Sequence, residues 1–556
     1  MTVNVLKRFS NGKQLYLWVF LSLAALCFLV YGEALHYGFV SMDDEYFILN
    51  NPDVQRVNAE SLRAIFTSFG RDYHYVPLFY LYFAVVNHFW GPDPFYFHLF
   101  SLLFHIANAF LVFYLLSMLS GKKYMALFAA FLFAVHPLQV EAVCWVAAVK
   151  TPISASFFLL GAAAYYHHRI RYDEGRVALL NIFSVLCFVF FICAMLVKTT
   201  AVTLPLLLLA MDYVMAPVPF RNVGAFLKKY VPGKLFFLPA ILVLFVVNQA
   251  AAAEAPFTLS IPYNFLDHVA IIGHNVFFYM QKSLLPMHLS LYYNPPMQGG
   301  LFQTLYGLKA LIGYSAAAVF LWGAYKNRLL FLAASFFFIP LCIMLDTSLF
   351  IKDIILLTAD RYYYLSAAGF FFLAGWGMDK MAHALKKTTT MRVFGLAGAV
   401  SLYAYCAHEQ IRVWKDSLAL MENTVRHEPN PEFHIRLGRE YLIRGYHDKA
   451  YENFQVGFSR MDANVRKRVH YTMGLTPGRI GLNYGRKDMH QWAQRYFEME
   501  VKMHPDSAIW WANLGQAYIQ LGDTVSADSC FREAVRKGFH PAEALPHTSP
   551  PIHAPE

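Results

Sequence analysis

Three consecutive acids, Asp43, Asp44 and Glu45, follow the first apolar segment of the chain, in the stretch GFVSMDDEYFILNNPDV. Acids just beyond a membrane span are usually solvated loop residues. These acids are of interest because ionisable side chains also stand at the ends of several other apolar segments. A carboxylate beside such groups can act as a general base, which accelerates a reaction by about 10²–10⁴-fold. The other ionisable side chains are His74, His136, Glu141, Lys150, Lys198, Lys352, Asp360 and Arg361.

Charge inside a bilayer is costly, at roughly 2.5–3.5 kcal/mol per residue in mid-membrane, so charges that persist near it are functional candidates. Carboxylates and cations in one cavity suit a reaction between a lipid phosphate ester and a hydroxyl group. Asp43 or Asp44 would take the hydroxyl proton, and cations would neutralise the departing phosphate. Cleavage of an ordinary glycoside also needs a protonating acid, whereas a phosphate leaves as a stable anion. The residues predicted to hold the phosphate are Arg361, Lys150, Lys198 and His136.

Further residues are predicted to support this site. His136 and Glu141 share one face of a short helix, and we expect them to hydrogen-bond each other and orient the loop. A divalent metal on Asp43 and Asp44 is an open alternative, because oxygen ligands suit Mg²⁺ or Mn²⁺. The seven cysteines form no CxxC and no framework spacing, which predicts neither a disulfide nor a metal–thiolate site. The supporting residues are Glu45, His74, Glu141 and Asp360.

The composition indicates a membrane protein. Of the 556 residues 57% are hydrophobic and only 15% are charged, and mean hydropathy is +0.38, whereas soluble domains are about a quarter charged. The formal net charge of +10 does not point to nucleic acid, because most Lys and Arg residues lie in short loops between apolar runs. The polar groups above are therefore expected at the surface of a bilayer.

The apolar pattern predicts an all-α bundle of about 11 spans. The basic residues occupy every second loop, and by the positive-inside rule those loops are cytoplasmic. The N-terminus is then inside, while residues 43–45 and everything after Tyr405 are outside. The basic loops are Lys7/Arg8/Lys13, Lys122/Lys123, Arg169/Arg171/Arg176, Arg221/Lys228/Lys229, Lys326/Arg328 and Lys380/Lys386/Lys387/Arg392. The predicted spans are Leu15–Tyr31, His98–Leu119, Tyr124–Phe133 running on to His136, Ile153–Tyr166, Leu179–Val197, Ala201–Val214, Leu235–Val247, Tyr306–Ala324, Leu329–Met344, Tyr362–Trp376 and Val393–Tyr405.

Two further apolar stretches, Tyr73–Trp90 and Phe265–Leu285, break the alternation if they cross, and are predicted to lie in the outer interface. From Trp414 the composition changes to polar helix formers with an internal repeat. Gly438, Gly481 and Gly515 head three copies at tetratricopeptide spacing, with an insertion at 461–470 after the first copy. These patterns predict a membrane domain over 1–408 with the first outer loop at 33–97, a tetratricopeptide α-solenoid over 409–540 and a Pro-rich tail over 541–556.

Four stretches together resemble the transmembrane and tetratricopeptide-repeat glycosyltransferases. The first is the outer-loop stretch at 38–54 quoted above. The others are YVPLFYLYFAVVNHFWGPDPFYFHLFSLLFHIANA at 75–109, FAVHPLQVEAVCWVAAVKT at 133–151 and ADRYYYLSAAGF at 359–370, which is similar to a (D/E)RYxYLP element. With the C-terminal repeats the resemblance spans nearly the whole chain. Three positions depart from the pattern of this family. Lys198-Thr199 stands where relatives often have Lys-Glu, Lys150 stands where they often have Arg, and Ser366 replaces the proline that follows YL.

The resemblance implies a C-type (GT-C) glycosyltransferase, a multi-span enzyme that takes a mannose-like hexose or another monosaccharide from a polyprenyl-phosphate donor. Eukaryotic members transfer mannose to Ser or Thr of secretory proteins. Carried across, Asp43 and Asp44 match the catalytic acidic pair and Arg361 the DRY element. We expect single displacement with inversion, no organic cofactor, and an acceptor protein presented by the repeat groove.

Two other functions remain open on the sequence. A non-enzymatic membrane-anchored scaffold for envelope assembly would use the span bundle only to tether the repeats. A lipid-linked glycan transporter would need charge at mid-bilayer, where Asp212 is the one acid near a span interior in the middle of the chain. The predicted topology and the near-absence of N-x-S/T sequons favour a bacterial inner membrane protein with periplasmic repeats.

Overall fold

The computed structural model describes residues 12–69, 74–173, 180–216, 222–253, 263–294, 300–301, 304–349, 356–461 and 473–539. This part of the chain is helical throughout and contains no strand, as the sequence predicts. The chain divides into two compact units between Asn423 and Thr424. Several predicted features lie outside the described residues: Lys7, Arg8, Arg176, Arg221, Lys352, most of the insertion near 461–470 and the tail at 541–556.

The helices of the first unit are connected by short 3-10 turns and loops. Those up to Asp173 are α1 (Gly12–Tyr31), α2 (Ala59–Thr67), α3 (Pro77–Trp90), α4 (Pro94–Ser120), α5 (Lys123–Val135), α6 (Val140–Cys144) and α7 (Lys150–Asp173). They are followed by α8 (Ile182–Val197), α9 (Leu204–Met215), α10 (Val223–Tyr230), α11 (Pro232–Leu235), α12 (Leu238–Ala253), α13 (Phe265–Leu284), α14 (Leu305–Lys326), α15 (Arg328–Leu341), α16 (Ala367–Ala384), α17 (Thr388–Val413) and α18 (Ser417–His427).

Several helices are long and apolar enough to cross a membrane, as expected of a multi-pass protein. Among the described residues there are five, or seven if each of two bent pairs is one span. Helices α8 and α9 are apolar but shorter, so the predicted count of 11 is not confirmed. The five are Gln14–His36, Pro94–Ser120, Val146–Asp173, Leu305–Lys326 and Arg328–Leu345, and the bent pairs cover 123–144 and 223–253.

Helix breaks shorten several of the predicted spans. Helix α5 ends at Val135, and His136 is extended (φ −72°, ψ 135°), because the residue before a proline is disfavoured in helical conformation. The chain bends by 56° at this point, and the short helices beyond it carry Glu141. A second break at Lys198 (φ −154°, ψ 121°) separates α8 from α9. Both breaks leave ionisable residues at helix ends.

The two stretches predicted for the outer interface both form helices. Helix α3 buries Phe79 and Phe83 completely. Helix α13 packs against α14 through two glycines, and a methyl group on Gly313 would lie only 2.1 Å from the carbonyl oxygen of Gly273. This contact brings two helix backbones together without intervening side chains, so both glycines are required by packing.

A buried charge cluster connects α7, α9 and α11. Asp212 is fully buried and accepts hydrogen bonds from Arg169 Nε at 2.8 Å and Tyr165 OH at 2.7 Å. Lys234 also pairs with it, and Arg169 pairs in addition with the half-exposed Asp173. Two cations and two acids balance each other, so Asp212 is neutralised within the protein.

The second unit consists of paired helices. They are α19 (Pro431–Ile443) with α20 (His447–Arg460), α21 (Pro477–Gly485) with α22 (His490–Met503), and α23 (Ala508–Gln520) with α24 (Thr524–Arg536). In each pair a glycine of the first helix lies against a phenylalanine of the second. A methyl group on the glycine would come within about 3 Å of that ring in the pairs Gly438–Phe454, Gly481–Phe497 and Gly515–Phe531.

The boundary between the units falls later than the boundary predicted at 408/409. Hydrogen bonds to the first unit explain the difference. Ser417 Oγ accepts the backbone N–H of Ser41 at 2.7 Å, and Asn423 Nδ2 donates to the carbonyl of Leu289 at 2.9 Å. These contacts attach the start of α18 to the first unit.

Candidate active site

An ion pair between Arg361 and Glu141 lies at the centre of the candidate site. Glu141 is only 2% exposed. Its Oε2 accepts the backbone N–H of Arg361 at 2.7 Å, and its Oε1 pairs with the guanidinium Nη1. Burial lowers the pKa of Arg361, but the charge of Glu141 more than reverses this effect and holds the pKa above its usual value. The site therefore contains a permanent, fixed cation.

Asp44 is held inside the protein by backbone donors. It is 1% exposed, and its two oxygens accept the N–H groups of Val40 at 3.0 Å and Ala147 at 2.8 Å. Burial raises the pKa of Asp44 to about 7, and these backbone hydrogen bonds only partly offset the rise. Because Ala147 lies just before α7, Asp44 fastens the first outer loop to the start of that helix.

Asp43 has a different environment from its neighbour. Residues 43 and 44 lie in one helical turn, where successive side chains diverge by about 100°. Asp43 is half-buried rather than buried, and its negative charge contributes to the raised pKa of Arg361. The charge of Asp43 therefore acts on the Arg361 guanidinium, whereas Asp44 accepts hydrogen bonds from the backbone.

A small pocket opens beside Arg361. Lys198 contributes the second cation, and its Nζ donates a hydrogen bond to Thr151 Oγ1 at 2.9 Å. Burial, followed by the positive charges of Arg361 and Lys150, lowers the pKa of Lys198 to about 7. An anion in the pocket would relieve this repulsion. Part of the wall is apolar and is formed by Ala155, Phe158, Pro340, Met344 and Leu365.

Aromatic rings surround the cations of the site. Lys150 Nζ lies 5.1 Å from the ring centroid of Phe79 and 5.6 Å from that of Phe47. The Arg361 guanidinium lies 5.2 Å from the ring of Trp145, which stacks in turn on Trp414 at 5.6 Å. Lysine and arginine over aromatic faces gain up to about 2 kcal/mol when desolvated, so these rings help to keep the cations in place.

Three supporting residues occupy separate positions. Asp360 is buried and accepts a hydrogen bond from Tyr293 OH at 2.8 Å; burial, with the charge of Glu141, raises its pKa. Glu45 begins a short π-helical segment, Glu45–Leu49, and is half-buried. His74 precedes Tyr75, whose backbone N–H donates to Asn248 of α12 at 3.0 Å. The lining of the described pocket includes none of the three.

The prediction that His136 and Glu141 hydrogen-bond each other is wrong. The His136 ring is fully buried; its Nε2 lies 3.1 Å from the carbonyl of Ser283, and its Nδ1 accepts the N–H of Leu138 at 3.3 Å. Glu141 bonds to Arg361 instead. Since both ring nitrogens are engaged with the backbone, His136 is poorly placed to hold a phosphate and instead connects the chain break to α13.

The residues do not fit a divalent metal on Asp43 and Asp44. Both oxygens of Asp44 already accept backbone hydrogen bonds, which weakens this carboxylate as a ligand. The described residues also contain no group of three or more His, Cys, Asp or Glu side chains that could hold a metal ion. A hard cation prefers several oxygen ligands, which this pair of aspartates does not supply.

Sequence reasoning missed the hydroxyl groups of the pocket. Thr151 and Thr200 line it with Lys198 and Arg361, yet threonines inside apolar stretches carry no signal of their own. Thr151 follows Lys150 directly in the stretch at 133–151 that carries the resemblance, and this position was the available clue. Trp145 lies in the same stretch and was missed for the same reason.

Fold and site together define a helical membrane protein with a cationic pocket and adjoining acids where several helices end. Over about a third of its length the chain is similar to glycosyltransferases of the transmembrane and tetratricopeptide-repeat class. It is 33% identical over 197 residues to the human protein O-mannosyl-transferase TMTC1, which covers 33% of the chain and 22% of that relative. It is 32% identical over 206 residues to Tmtc1 of Drosophila melanogaster, also a protein O-mannosyl-transferase, covering 36% of the chain and 23% of the relative.

These matches confirm the resemblance read from the sequence. The chain matches less than a quarter of the length of each of these relatives. No family model and no solved structure matches the chain.

Proposed function

We propose that the chain is a C-type glycosyltransferase that moves a monosaccharide, such as a mannose-like hexose, from a polyprenyl-phosphate donor to a hydroxyl group. The acceptor would be Ser or Thr of an extracytoplasmic protein. The observation that carries this proposal is the grouping of Arg361 and Lys198 in one pocket with Asp43 within electrostatic reach. The similarity to protein O-mannosyl-transferases supports the same reaction class.

In the proposed reaction Asp43 removes the proton from the acceptor hydroxyl. The hydroxyl oxygen forms a bond to the anomeric carbon, while the bond from that carbon to the phosphate oxygen breaks with its electron pair. The departing polyprenyl phosphate gains negative charge, which Arg361 and Lys198 stabilise. One displacement of this kind inverts the anomeric centre. Asp44 does not meet the substrate and instead positions the loop that carries Asp43.

The donor phosphate would lie between Arg361 and Lys198, with Thr151 and Thr200 as hydroxyl donors. A guanidinium offers a planar pair of N–H groups that matches phosphate oxygens. Glu141 orients this guanidinium and leaves part of it for the ligand. The apolar wall from Ala155 to Leu365 suits the first units of a lipid chain. Lys150 would add positive charge without direct contact.

We further propose that the helix pairs of the second unit form a tetratricopeptide solenoid, exposed to the periplasm of a bacterium, that binds the acceptor polypeptide. The three glycine–phenylalanine contacts support the repeat, because small residues at the tight helix crossing are what stacked helix pairs need. The charge pattern of the sequence supports a membrane domain with its N-terminus inside.

The two rivals have less support. A transporter needs charge along its path, but Asp212 is neutralised by Arg169 and Lys234. A non-enzymatic scaffold leaves the cationic pocket without a role. The scaffold hypothesis also predicts that substitutions of pocket residues leave lipid binding unchanged.

The test compares Asp43→Asn with Glu60→Gln, an exposed acid in the same outer loop. The full chain in lipid nanodiscs is given radiolabelled polyprenyl-phosphate mannose and a Ser/Thr-containing peptide. We expect Asp43→Asn to bind the donor normally and to lose transfer by about 10²–10⁴-fold, the value of a general base. Glu60→Gln should retain full transfer. Full transfer by Asp43→Asn would disprove the assigned role, and absence of donor binding by the wild type would disprove the reaction.

A further inference from the structure

Two arginines on one helix of the second unit lack acidic partners. Arg479 lies in the first turn of α21, and Arg486 follows its last residue as the C-cap; both are exposed, and neither forms an ion pair within the described residues. Five other arginines of this unit form ion pairs. These are Arg436 with Glu432, Arg444 with Glu440, Arg495 with Asp448, Arg532 with Asp528 and Arg536 with Glu533.

The two arginines lie on the face of α21 that points away from its paired helix. Gly481 marks the side in contact with Phe497 of α22. At 100° per residue, positions two before and five after this glycine lie about 160° and 140° around the helix. Those positions are Arg479 and Arg486. Their separation of seven residues corresponds to about 10 Å along the axis at about 1.5 Å per residue.

The same face continues onto α23. The two helices are direct neighbours, since a methyl group on Gly478 would lie 2.6 Å from the ring of Trp510. Relative to Gly515, which contacts Phe531 of α24, the equivalent positions are Asn513 and Gln520. Gln516, one residue after the glycine, is exposed beside them, as is Gln520.

Neither helix contributes an acid to this face, and Glu500 of α22, which accepts the N–H of Gly478 at 2.6 Å, is buried. Neither PGRIGLNYG of α21 nor AIWWANLGQAYIQ of α23 contains Asp or Glu. The nearest acid after α21 is Asp488, whose Oδ1 lies 3.8 Å from His490 Nε2. Arg479 also stands in the first turn of its helix, where positive charge opposes the helix dipole. The Arg479 guanidinium donates one hydrogen bond to the carbonyl of Gly474 at 3.2 Å, and its remaining N–H groups have no acidic partner among the described residues.

We propose that this face, defined by Arg479 and Arg486 on α21 and by Asn513, Gln516 and Gln520 on α23, binds an extended acidic polypeptide. Arginine matches carboxylates bidentately. An extended chain in polyproline II conformation rises about 3.1 Å per residue and returns to the same face every third residue, so carboxylates three residues apart lie on one face at about the distance between the two arginines. Side-chain amides both donate and accept, and can therefore pair with the peptide backbone at any sequence. This inference refines the acceptor class of the proposed function and rests on it for its biological meaning.

The test uses the full chain in zwitterionic nanodiscs without sugar donor, at about 150 mM salt. The probes are fluorescent 12-residue peptides with two Glu residues at i and i+3, and the same peptides with Gln. We expect the Glu peptide to bind at least 10-fold more tightly than the Gln peptide. The double variant Arg479→Gln/Arg486→Gln should lose this preference. The charge-matched control Arg532→Gln/Arg536→Gln on α24 should bind within about 2-fold of the wild type.

Three results would overturn the inference. One is equal loss in the control variant, which would indicate unspecific charge attraction. Another is equal binding of the Gln peptide. The third is unchanged peptide binding by the α21 variant combined with loss of binding to anionic vesicles, which would assign the face to a membrane. Asp43→Asn should bind the peptide normally, so a failure of sugar transfer is distinguishable from a failure of this docking surface.

Discussion

Replacement of Asp44 tests the division of labour between the two adjacent acids. Asp44→Asn keeps the size of the side chain but offers only one oxygen to the two N–H groups of Val40 and Ala147. Asp44→Ala offers none. A buried donor without a partner costs about 1–3 kcal/mol. We therefore expect a loss of about 1–3 kcal/mol for the Asn variant and about 2–6 kcal/mol for the Ala variant at acidic pH.

The same residue makes stability depend on pH. The pKa of Asp44 rises from 3.8 to about 7 in the folded protein, a difference of about three units, worth on the order of 4 kcal/mol at about 1.4 kcal/mol per unit. Because the folded-state pKa is the higher one, this stabilisation is complete below pH 4 and is lost as the pH rises through 7. Asn cannot ionise, so Asp44→Asn lacks this loss.

The assay is the apparent melting temperature of the full chain in detergent between pH 5 and pH 8.5. We expect Asp44→Asn to melt below the wild type at pH 5 and to approach or exceed it at pH 8.5. Asp43→Asn should follow the wild-type profile, since Asp43 is only half-buried. Parallel profiles of wild type and Asp44→Asn would refute the buried position of this carboxyl. A large loss of stability in Asp43→Asn would refute the division of roles.

Three further predictions address the pocket and the packing. The affinity for a polyprenyl phosphate should fall as the pH rises through about 7, because Lys198 loses its charge there. In a binding titration from pH 6 to 8.5, Lys198→Arg should remove this dependence. Gly313→Ala should destabilise the fold by more than about 3 kcal/mol, because the added methyl group would overlap the backbone of Gly273. The control Gly398→Ala should melt like the wild type, because open space surrounds Gly398. Asp212→Asn should cost about 3–5 kcal/mol, because it removes the buried carboxylate that pairs with Lys234 and one of the two acidic partners of Arg169. An unchanged melting temperature would show that the cluster is solvated.

The chain itself fixed the class of protein and the residue types of the site. Apolar stretches and basic loops predict a helical membrane protein whatever the packing, because burial in lipid requires hydrophobic helices. The order of motifs around Asp43, Lys150 and Arg361 gave the resemblance that the comparisons confirm. The number of spans was less certain from sequence, because Pro137 and the extended conformation of Lys198 break apolar runs into shorter helices.

Tertiary structure decided which of these residues meet. Glu141 and Arg361 are 220 positions apart, and only the packing of the chain breaks brings them together; local spacing instead favoured a bond from Glu141 to His136. The two adjacent aspartates look equivalent in the sequence. In the structure, the helical turn places Asp44 against the backbone N–H groups of Val40 and Ala147 and leaves Asp43 near the Arg361 guanidinium. Hydrogen bonds and burial depend on neighbours distant in the chain, so the buried acid that accepts backbone N–H groups and the half-buried acid near Arg361 could be told apart only after folding.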